Sequence, residues 1–291
     1  MTGGPTGPEI LRAPILAVEG WLVHGFSTRR GGVSTGYGGA TLNLGVTAHD
    51  RKENVERNRV AFLGAVGATD AAGRPWPLLQ LRQLHSAVVH RVSAGAPGVL
   101  AGDGLITDTP ALLLAVKTAD CAPVIVVDIR RRAVGVFHAG WRGTVARIVE
   151  KAIGEMRRHF GSVPRDLRAA IGPCIRRCCY SVGPEVRAEF GSQFSYSEEL
   201  FEEIFDANAL HVRYPLLFLD QRPPGHGGEG PEIHLDLVEA NRRQLKDAGL
   251  AEESICVVEG CTACDTTRFF SHRAEAGRTG RMMGVAGIRP D

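Results

Sequence analysis

The chain has almost no net charge: 34 lysines and arginines stand against 32 aspartates and glutamates, leaving +2 over 291 residues. That balance supplies neither a basic face for nucleic acid nor a polybasic stretch for an acidic membrane, so neither is expected as a partner. Long apolar runs are missing too. Lys117 and Asp120 interrupt the best candidate, and nothing reaches the roughly 20 residues that a membrane helix needs. Met1 to Pro8 is rich in glycine and proline and lacks the basic onset and apolar stretch of a secretory signal. Residues 1–10 are therefore expected to be a flexible terminus preceding one domain over 11–291. The ten histidines include no His-x-His pair, which leaves no ligand set for several copper ions. Seven cysteines, an odd number without short-domain spacing, point to reduced thiols and a cytoplasmic protein rather than a disulfide framework.

What is present is concentrated between Thr107 and Thr144. Ala111 to Val116 reads as a buried strand that stops at Lys117-Thr118-Ala119-Asp120-Cys121; Pro123 to Val127 begins a second; Val134 to Phe137 makes a third and stops at His138-Ala139-Gly140-Trp141-Arg142-Gly143-Thr144. Cys121 and His138 each sit at a strand end, 17 residues apart, and meet if the intervening segment is a hairpin. Upstream, Gln83-Leu84-His85 opens an alternating run and places His85 at another strand terminus. Two imidazoles and one thiol suit a catalytic zinc, with three protein ligands and the fourth tetrahedral position left to water or substrate. Each residue alone has a plainer reading, since free cysteine is commonly buried and a single histidine is usually just hydrogen-bonded. Asp120 and Arg142 lift the set above that reading by bringing charge where a core stays apolar.

Around this centre lie further polar positions. His24 to Ser34 is a glycine- and arginine-rich loop in which Arg30 can approach an anion. Helical spacing from Arg51 to Val66 puts Asn58 and Arg59 on or beside the apolar stripe Val55, Phe62, Leu63 and Val66, where they either cap a neighbouring turn or reach a pocket; Asn43 has the same two readings. After His138 a single long helix is predicted, with Val145, Ile148, Val149, Ala152, Ile153, Met156 and Phe160 on one face and Gly161 as its stop. Its amino end at Gly140–Thr144, beside Arg142, is a natural place for phosphate. Cys174, Cys178, Cys179, Cys261 and Cys264 are expected to be buried thiols rather than a second thiolate metal site, because one Cys-x-x-Cys without a matching pair is a weak signal. Gln221 to Glu232 reads as an exposed loop, followed by a helix from Leu235 to Ala248 and a strand from Ile255 to Val258. His272, after Phe269-Phe270-Ser271, lines the site or covers its rim.

Seven motifs in order carry a resemblance: Gln83-Leu84-His85, Asp103-Gly104-Leu105-Ile106-Thr107, Thr118-Ala119-Asp120-Cys121, His138 to Thr144, Ile171-Gly172-Pro173-Cys174-Ile175, Cys179-Tyr180-Ser181-Val182-Gly183 and Phe269 to Arg273. Together, from about Gly25 to Ile288, the chain resembles the YfiH/YlmD family, long labelled multicopper polyphenol oxidase or laccase-domain protein. The resemblance implies an α+β single domain, a layered α/β/β/α sandwich with mixed sheets, related in fold to a toxin deamidase. It implies a zinc-dependent purine nucleoside phosphorylase acting on adenosine, inosine and S-methyl-5′-thioadenosine, with adenosine deaminase activity in some members. Its partners are then purine nucleosides and inorganic phosphate, and the protein a monomer or small homo-oligomer. The family's zinc ligands match His85, Cys121 and His138. In that frame Arg30, Arg142 or Arg59 holds phosphate, Asp120 orients a ligand or acts as acid and base, and Asn43, Gln83 and His272 contact substrate. Ser86, Ser181 and Ala274 depart from the family's usual Gly, Glu and Arg, which bears on substrate preference. Two rival chemistries use the same residues: a cysteine hydrolase or deamidase with Cys121 as nucleophile, His138 as base and Gln83 near an oxyanion, and an oxidase with one copper at the His₂Cys set.

Overall fold

The computed structural model describes residues 7–95, 98–205 and 231–291. The expected loop from Gln221 lies, up to residue 230, outside the described residues, as do the first six positions of the expected flexible terminus. Alternation along the apolar strands builds the architecture. In the strand Leu113–Thr118 (β7), Leu113 and Ala115 join one core while Leu114 and Val116 join another; in the strand Ala122–Asp128 (β8), Val124 and Val126 face one way, Ile125 and Val127 the other. A strand buried on both faces belongs to a sheet covered on both faces.

Two such sheets stack. The first runs, in spatial order, β1 (Ile10–Leu11), β2 (Leu22–Ser27), β15 (Met282–Ile288), β7 and β4 (Leu78–Gln80); the second runs β14 (Ile255–Val257), β10 (Leu167–Ile171), β8, β9 (Ala133–Ala139), β6 (Gly104–Thr107) and β5 (Val89–Arg91). Both mix parallel and antiparallel pairs: β4 lies parallel to β7, and β5 parallel to β6, among otherwise antiparallel neighbours of these strands. One core fills the space between the sheets. A second packs the helix Lys52–Val66 on the first sheet through Phe62, Leu63 and Val66, and a third packs the helices Ile148–Phe160 and Leu237–Asp247 on the other sheet. The result is the α/β/β/α sandwich that the resemblance implies. A short strand Arg30–Ser34 (β3) and a small sheet ordering β11 (Ser181–Val182), β13 (Glu232–Leu235) and β12 (Phe201–Ile204) complete the strands of the described residues. No helix among them is long and apolar enough to cross a membrane.

Three local expectations are corrected. The long helix after His138 is two helices, Trp141–Val145 and Ile148–Phe160. The break falls at Arg147, which adopts a left-handed backbone with φ +60° and sends its guanidinium to Glu150 and to the Gln193 carbonyl, while the Gln244 side chain donates to the Thr144 carbonyl. Apolar positions three and four apart persist through such a break, so periodicity does not reveal it. His85 is not at a strand terminus; it lies in the connection between β4 and β5, again with positive φ. The third concerns the cysteines: Cys174 is buried, but Cys178 and Cys264 are exposed and Cys179 and Cys261 half-buried, so an apolar surround does not account for them.

Candidate metal centre

β8 and β9 form the hairpin that brings the first two groups together. Their register pairs Ala122 with Ala139 and Pro123 with His138, so Cys121 emerges one residue before the pairing begins and His138 one residue before it ends. The chain reaches Cys121 from β7, which lies in the other sheet, by a sharp corner at Ala119–Cys121. Asp120 turns that corner with φ +92°, a conformation costing a non-glycine residue roughly 1–3 kcal/mol. The corner is held from three sides: the Thr262 hydroxyl donates to Asp120 Oδ1 at 2.6 Å, the Arg273 amide to Oδ2 at 2.7 Å, and the Ile175 amide to the Asp120 carbonyl at 2.8 Å.

His85 arrives by a different device. The Gln83 side chain mimics a strand neighbour of β7, donating to the Lys117 carbonyl at 2.7 Å and accepting the Lys117 amide at 2.8 Å. Beyond it, a single carboxylate gathers the turn: Asp103 accepts the amides of Leu84 (3.1 Å), His85 (3.1 Å) and Ser86 (2.7 Å) and the Ser86 hydroxyl (2.7 Å). The same carboxylate accepts Nδ1 of His138 at 2.8 Å, and the Asp103 carbonyl accepts the His138 amide. Burial opposes ionisation of Asp103, yet the bonds from His138, Ser86 and Leu84 outweigh it and hold the carboxyl far below the usual carboxylate range. One buried anion therefore orients two histidines. In sequence Asp103 stands only within the motif Asp103-Gly104-Leu105-Ile106-Thr107, because a buried carboxylate ahead of a strand declares itself only through the donors that surround it.

The three groups converge. Donor atoms of His85, Cys121 and His138 all lie within 4.8 Å of one another, and the imidazole rings meet edge to face with centroids 4.9 Å apart. Asp103 occupies His138 Nδ1, which leaves Nε2 as the ligand atom in the carboxylate–histidine–metal pattern. Gly140 keeps the backbone clear: a Cβ there would stand 2.8 Å from the Cys121 sulfur and 3.1 Å from the His85 ring. Two nitrogens and a sulfur at this separation, with a fixed tautomer behind one nitrogen, fit a single ion.

Electrostatics favour a charged pair when no ion is bound. Burial raises the Cys121 thiol, but the His138 charge and hydrogen bonds from His138 and His85 overcome it and bring the thiol down to about 6. Burial likewise lowers His138, but the Cys121 thiolate and Asp103 overcome it, raising the imidazole. Above pH 6 the sulfur is accordingly a thiolate and nucleophilic. In chelated protein, iodoacetamide labelling of the Cys121 peptide is expected to rise with pH about a midpoint near 6; a midpoint near the ordinary value of about 8.5 contradicts the pairing.

Other site candidates divide by their partners. Arg142, next to the centre, is exposed and stacked on Trp141 with 4.3 Å from guanidinium to ring, and forms no ion pair among the described residues. Tyr180 stands by the Cys121, Arg273, Asp120 and Arg142 charges, and burial pushes its hydroxyl well above the usual range. Asn43 is fully buried and bonded to Gly45, Asp50 and the Arg281 amide. Arg59 donates to the Leu44 carbonyl and Gln80, and Arg30 to Thr267 in a cleft lined also by Arg29, Tyr37 and Thr41. His272 is exposed, its carbonyl closing a turn with the Gly277 amide. The structure thus brings together His85, Cys121 and His138, flanks them with Asp120 and Arg142, and gives Asn43, Arg59, Gln83 and Arg30 partners within the fold. Tyr180 and Asp103 are the additions.

Comparison with known proteins gives consistent results. The family model described as multi-copper polyphenol oxidoreductase laccase matches residues 23–289. A purine nucleoside phosphorylase of Deinococcus radiodurans is 37% identical over 284 residues, covering 97% of this chain and 94% of its own. A protein named adenosine deaminase RL5, from an unknown prokaryotic organism, is 35% identical over 179 residues, 62% of this chain and 59% of its own. Among solved structures, the hypothetical protein YfiH of Bacillus licheniformis superposes with a TM-score of 0.78 at 31% identity, covering 98% of this chain and 97% of that one.

Proposed function

The chain belongs to the multi-copper polyphenol oxidoreductase laccase family, and from that premise we propose that it is a zinc-dependent purine nucleoside phosphorylase, with adenosine, inosine and S-methyl-5′-thioadenosine as substrates. The observation that carries this reading is the convergence of His85, Cys121 and His138, three ligands where a catalytic zinc keeps its fourth position open. The names of the relatives supply the reaction class. Despite the family's label, ten histidines without a His-x-His pair speak against a multicopper centre, and a single copper at the same three ligands predicts a coloured protein.

In phosphorolysis a phosphate oxygen bonds to ribose C1′ as the C1′–N9 bond breaks; its electron pair leaves with the purine, which takes up a proton. When bound, zinc supplies Lewis acidity that stabilises developing negative charge and can ionise water near neutral pH, which also suits replacement of the adenine amino group by oxygen with loss of ammonia. The chain's own groups do the rest. Tyr180 offers an aromatic wall beside the centre for the purine ring. Arg142, free of ion pairs among the described residues, offers a fork for phosphate. Asp120, with both carboxylate oxygens engaged, fixes the corner that presents Cys121. Arg142→Gln is expected to raise KM for phosphate about tenfold, near 1.4 kcal/mol, while changing KM for adenosine little; equal KM values for phosphate in variant and parent remove Arg142 from this role.

The cysteine-hydrolase reading retains one observation in its favour: Cys121, His138 and Asp103 also form a thiolate–imidazole–carboxylate line. That reading predicts turnover that survives a chelator and stops on alkylation. The zinc reading predicts turnover that a chelator abolishes and zinc restores. The assay that tests the proposal is adenosine incubated with and without phosphate. Phosphate-dependent release of adenine and ribose 1-phosphate is expected; inosine alone, formed at one rate with or without phosphate, reduces the activity to deamination.

A further inference from the structure

Away from this centre the fold assembles four more thiols. Cys178 and Cys179 come from the connection after β10, and Cys261 and Cys264 from the segment after β14, more than eighty positions later in the chain. Their sulfurs all lie within 4.8 Å of one another, with Cys179–Cys264 at 3.2 Å, Cys178–Cys264 at 3.4 Å and Cys178–Cys261 at 3.7 Å. A disulfide needs about 2.05 Å. Four sulfurs around a zinc ion at about 2.3 Å stand about 3.8 Å apart, the edge of the corresponding tetrahedron. These three separations fall just under that edge, and all six pairs lie within 4.8 Å.

The surroundings are not those of a packed core. Cys178 and Cys264 are exposed, so burial in an apolar core does not explain the cluster. The Arg176 amide donates to the Cys261 sulfur at 3.5 Å, fixing its position at the edge of the cluster. The two segments are already in register there: the backbones of Cys174 and Cys261 pair in a single parallel β-bridge, the Thr262 amide donates to the Cys174 carbonyl, and the Arg176 guanidinium reaches the Gly260 and Val258 carbonyls.

We propose that Cys178, Cys179, Cys261 and Cys264 bind a second zinc ion, a closed four-thiolate site that ties the segment 174–180 to the segment 258–264. With all four positions filled by protein the ion is structural, unlike the open three-ligand centre. Soft thiolates in tetrahedral array select zinc over the oxygen-seeking cations. The tie ends where the proposed substrate wall begins: Tyr180 follows Cys179, and Thr262, inside the Cys261–Cys264 turn, bonds the Asp120 corner. The assignment stands on the cysteines alone and does not depend on what the first centre catalyses.

The test is metal content of the purified full chain with reduced-thiol counting by intact mass. The expected result is two zinc ions per chain and no hydrogens lost to disulfides. The Cys178→Ser/Cys264→Ser variant is expected to retain one ion, as is Cys121→Ala, each losing a different one. Cobalt in the Cys121→Ala protein is expected to show the intense sulfur-to-metal charge-transfer absorption of several thiolates. One ion in the parent and none in Cys121→Ala overturns the proposal while leaving the first centre intact; so does a disulfide within the four cysteines. Should the double variant not fold, metal content of the parent and of Cys121→Ala, with the cobalt spectrum of the latter, still decide the matter.

Discussion

Cys121→Ala is expected to abolish phosphorolysis, lowering kcat/KM for adenosine by at least about a thousandfold, the equivalent of about 4 kcal/mol of lost transition-state stabilisation. The reasoning is geometric. Cys121 is the only sulfur among the three converging donors, and alanine leaves two imidazoles with no anionic ligand. Two neutral nitrogens hold zinc far less well than two nitrogens and a thiolate. The variant should fold, because its neighbour Gly140 leaves open backbone beside the lost sulfur and β8 and β9 pair without it. Loss of activity with the metal retained at the centre contradicts the ligand assignment and favours a nucleophilic role for the thiol; addition of zinc to the chelated parent separates the two, since only a metal enzyme regains turnover.

Asp103→Asn is expected to be the most damaging substitution outside the ligands themselves. Asp103 is fully buried and accepts from three successive amides, one hydroxyl and His138 Nδ1. An asparagine keeps one acceptor oxygen and turns an NH₂ group on the remaining donors, leaving buried groups unpaired. Breaking such a buried charge network costs about 3–5 kcal/mol, a large part of a typical domain's 5–15 kcal/mol. Melting is expected to fall by roughly 10 °C. Zinc affinity is expected to fall about 10- to 100-fold as well, because the same carboxylate sets the tautomer of His138 and the turn that aims His85. Ser86→Ala, which removes one donor and leaves the acceptor paired with the others, is expected to cost about 1 kcal/mol and serves as the control. Equal melting and equal zinc affinity in Asp103→Asn and the parent would show that Asp103 does not organise the site.

The pairing of Cys121 with His138 was legible because it rests on strong local signals. Two apolar strands of matched length with a short polar turn between them, Asp128 to Ala133, make a hairpin whose ends must meet. The double burial of β7 and β8 was equally legible in runs without polar alternation, whereas the layered sandwich followed from the family resemblance. What stayed hidden was whatever depends on backbone conformation or on partners far along the chain. The left-handed residues His85, Asp120 and Arg147 have ordinary side chains, and nothing in their types announces a corner, a turn or a helix break. The grouping of Cys178, Cys179, Cys261 and Cys264 was hidden for a related reason. Its one Cys-x-x-Cys meets adjacent cysteines rather than a second spaced pair, and only the parallel placement of β10 beside β14 brings the two segments together. Asn43 and Arg59 kept two readings in sequence because only the fold supplies their partners: Arg59 donates to the Leu44 carbonyl, the Asn43 side chain donates to the Gly45 carbonyl, and Asn58 on the helix Lys52–Val66 donates to the Asn43 carbonyl.

Anomalous diffraction at the zinc edge, on crystals of the purified full chain, addresses the first centre most directly. The account predicts a peak at bonding distance from His85, Cys121 and His138 together, about 2.0–2.3 Å from each donor, with no fourth protein ligand. Crystals in which those three side chains surround no peak, while the protein still releases adenine from adenosine in a phosphate-dependent manner, would contradict it.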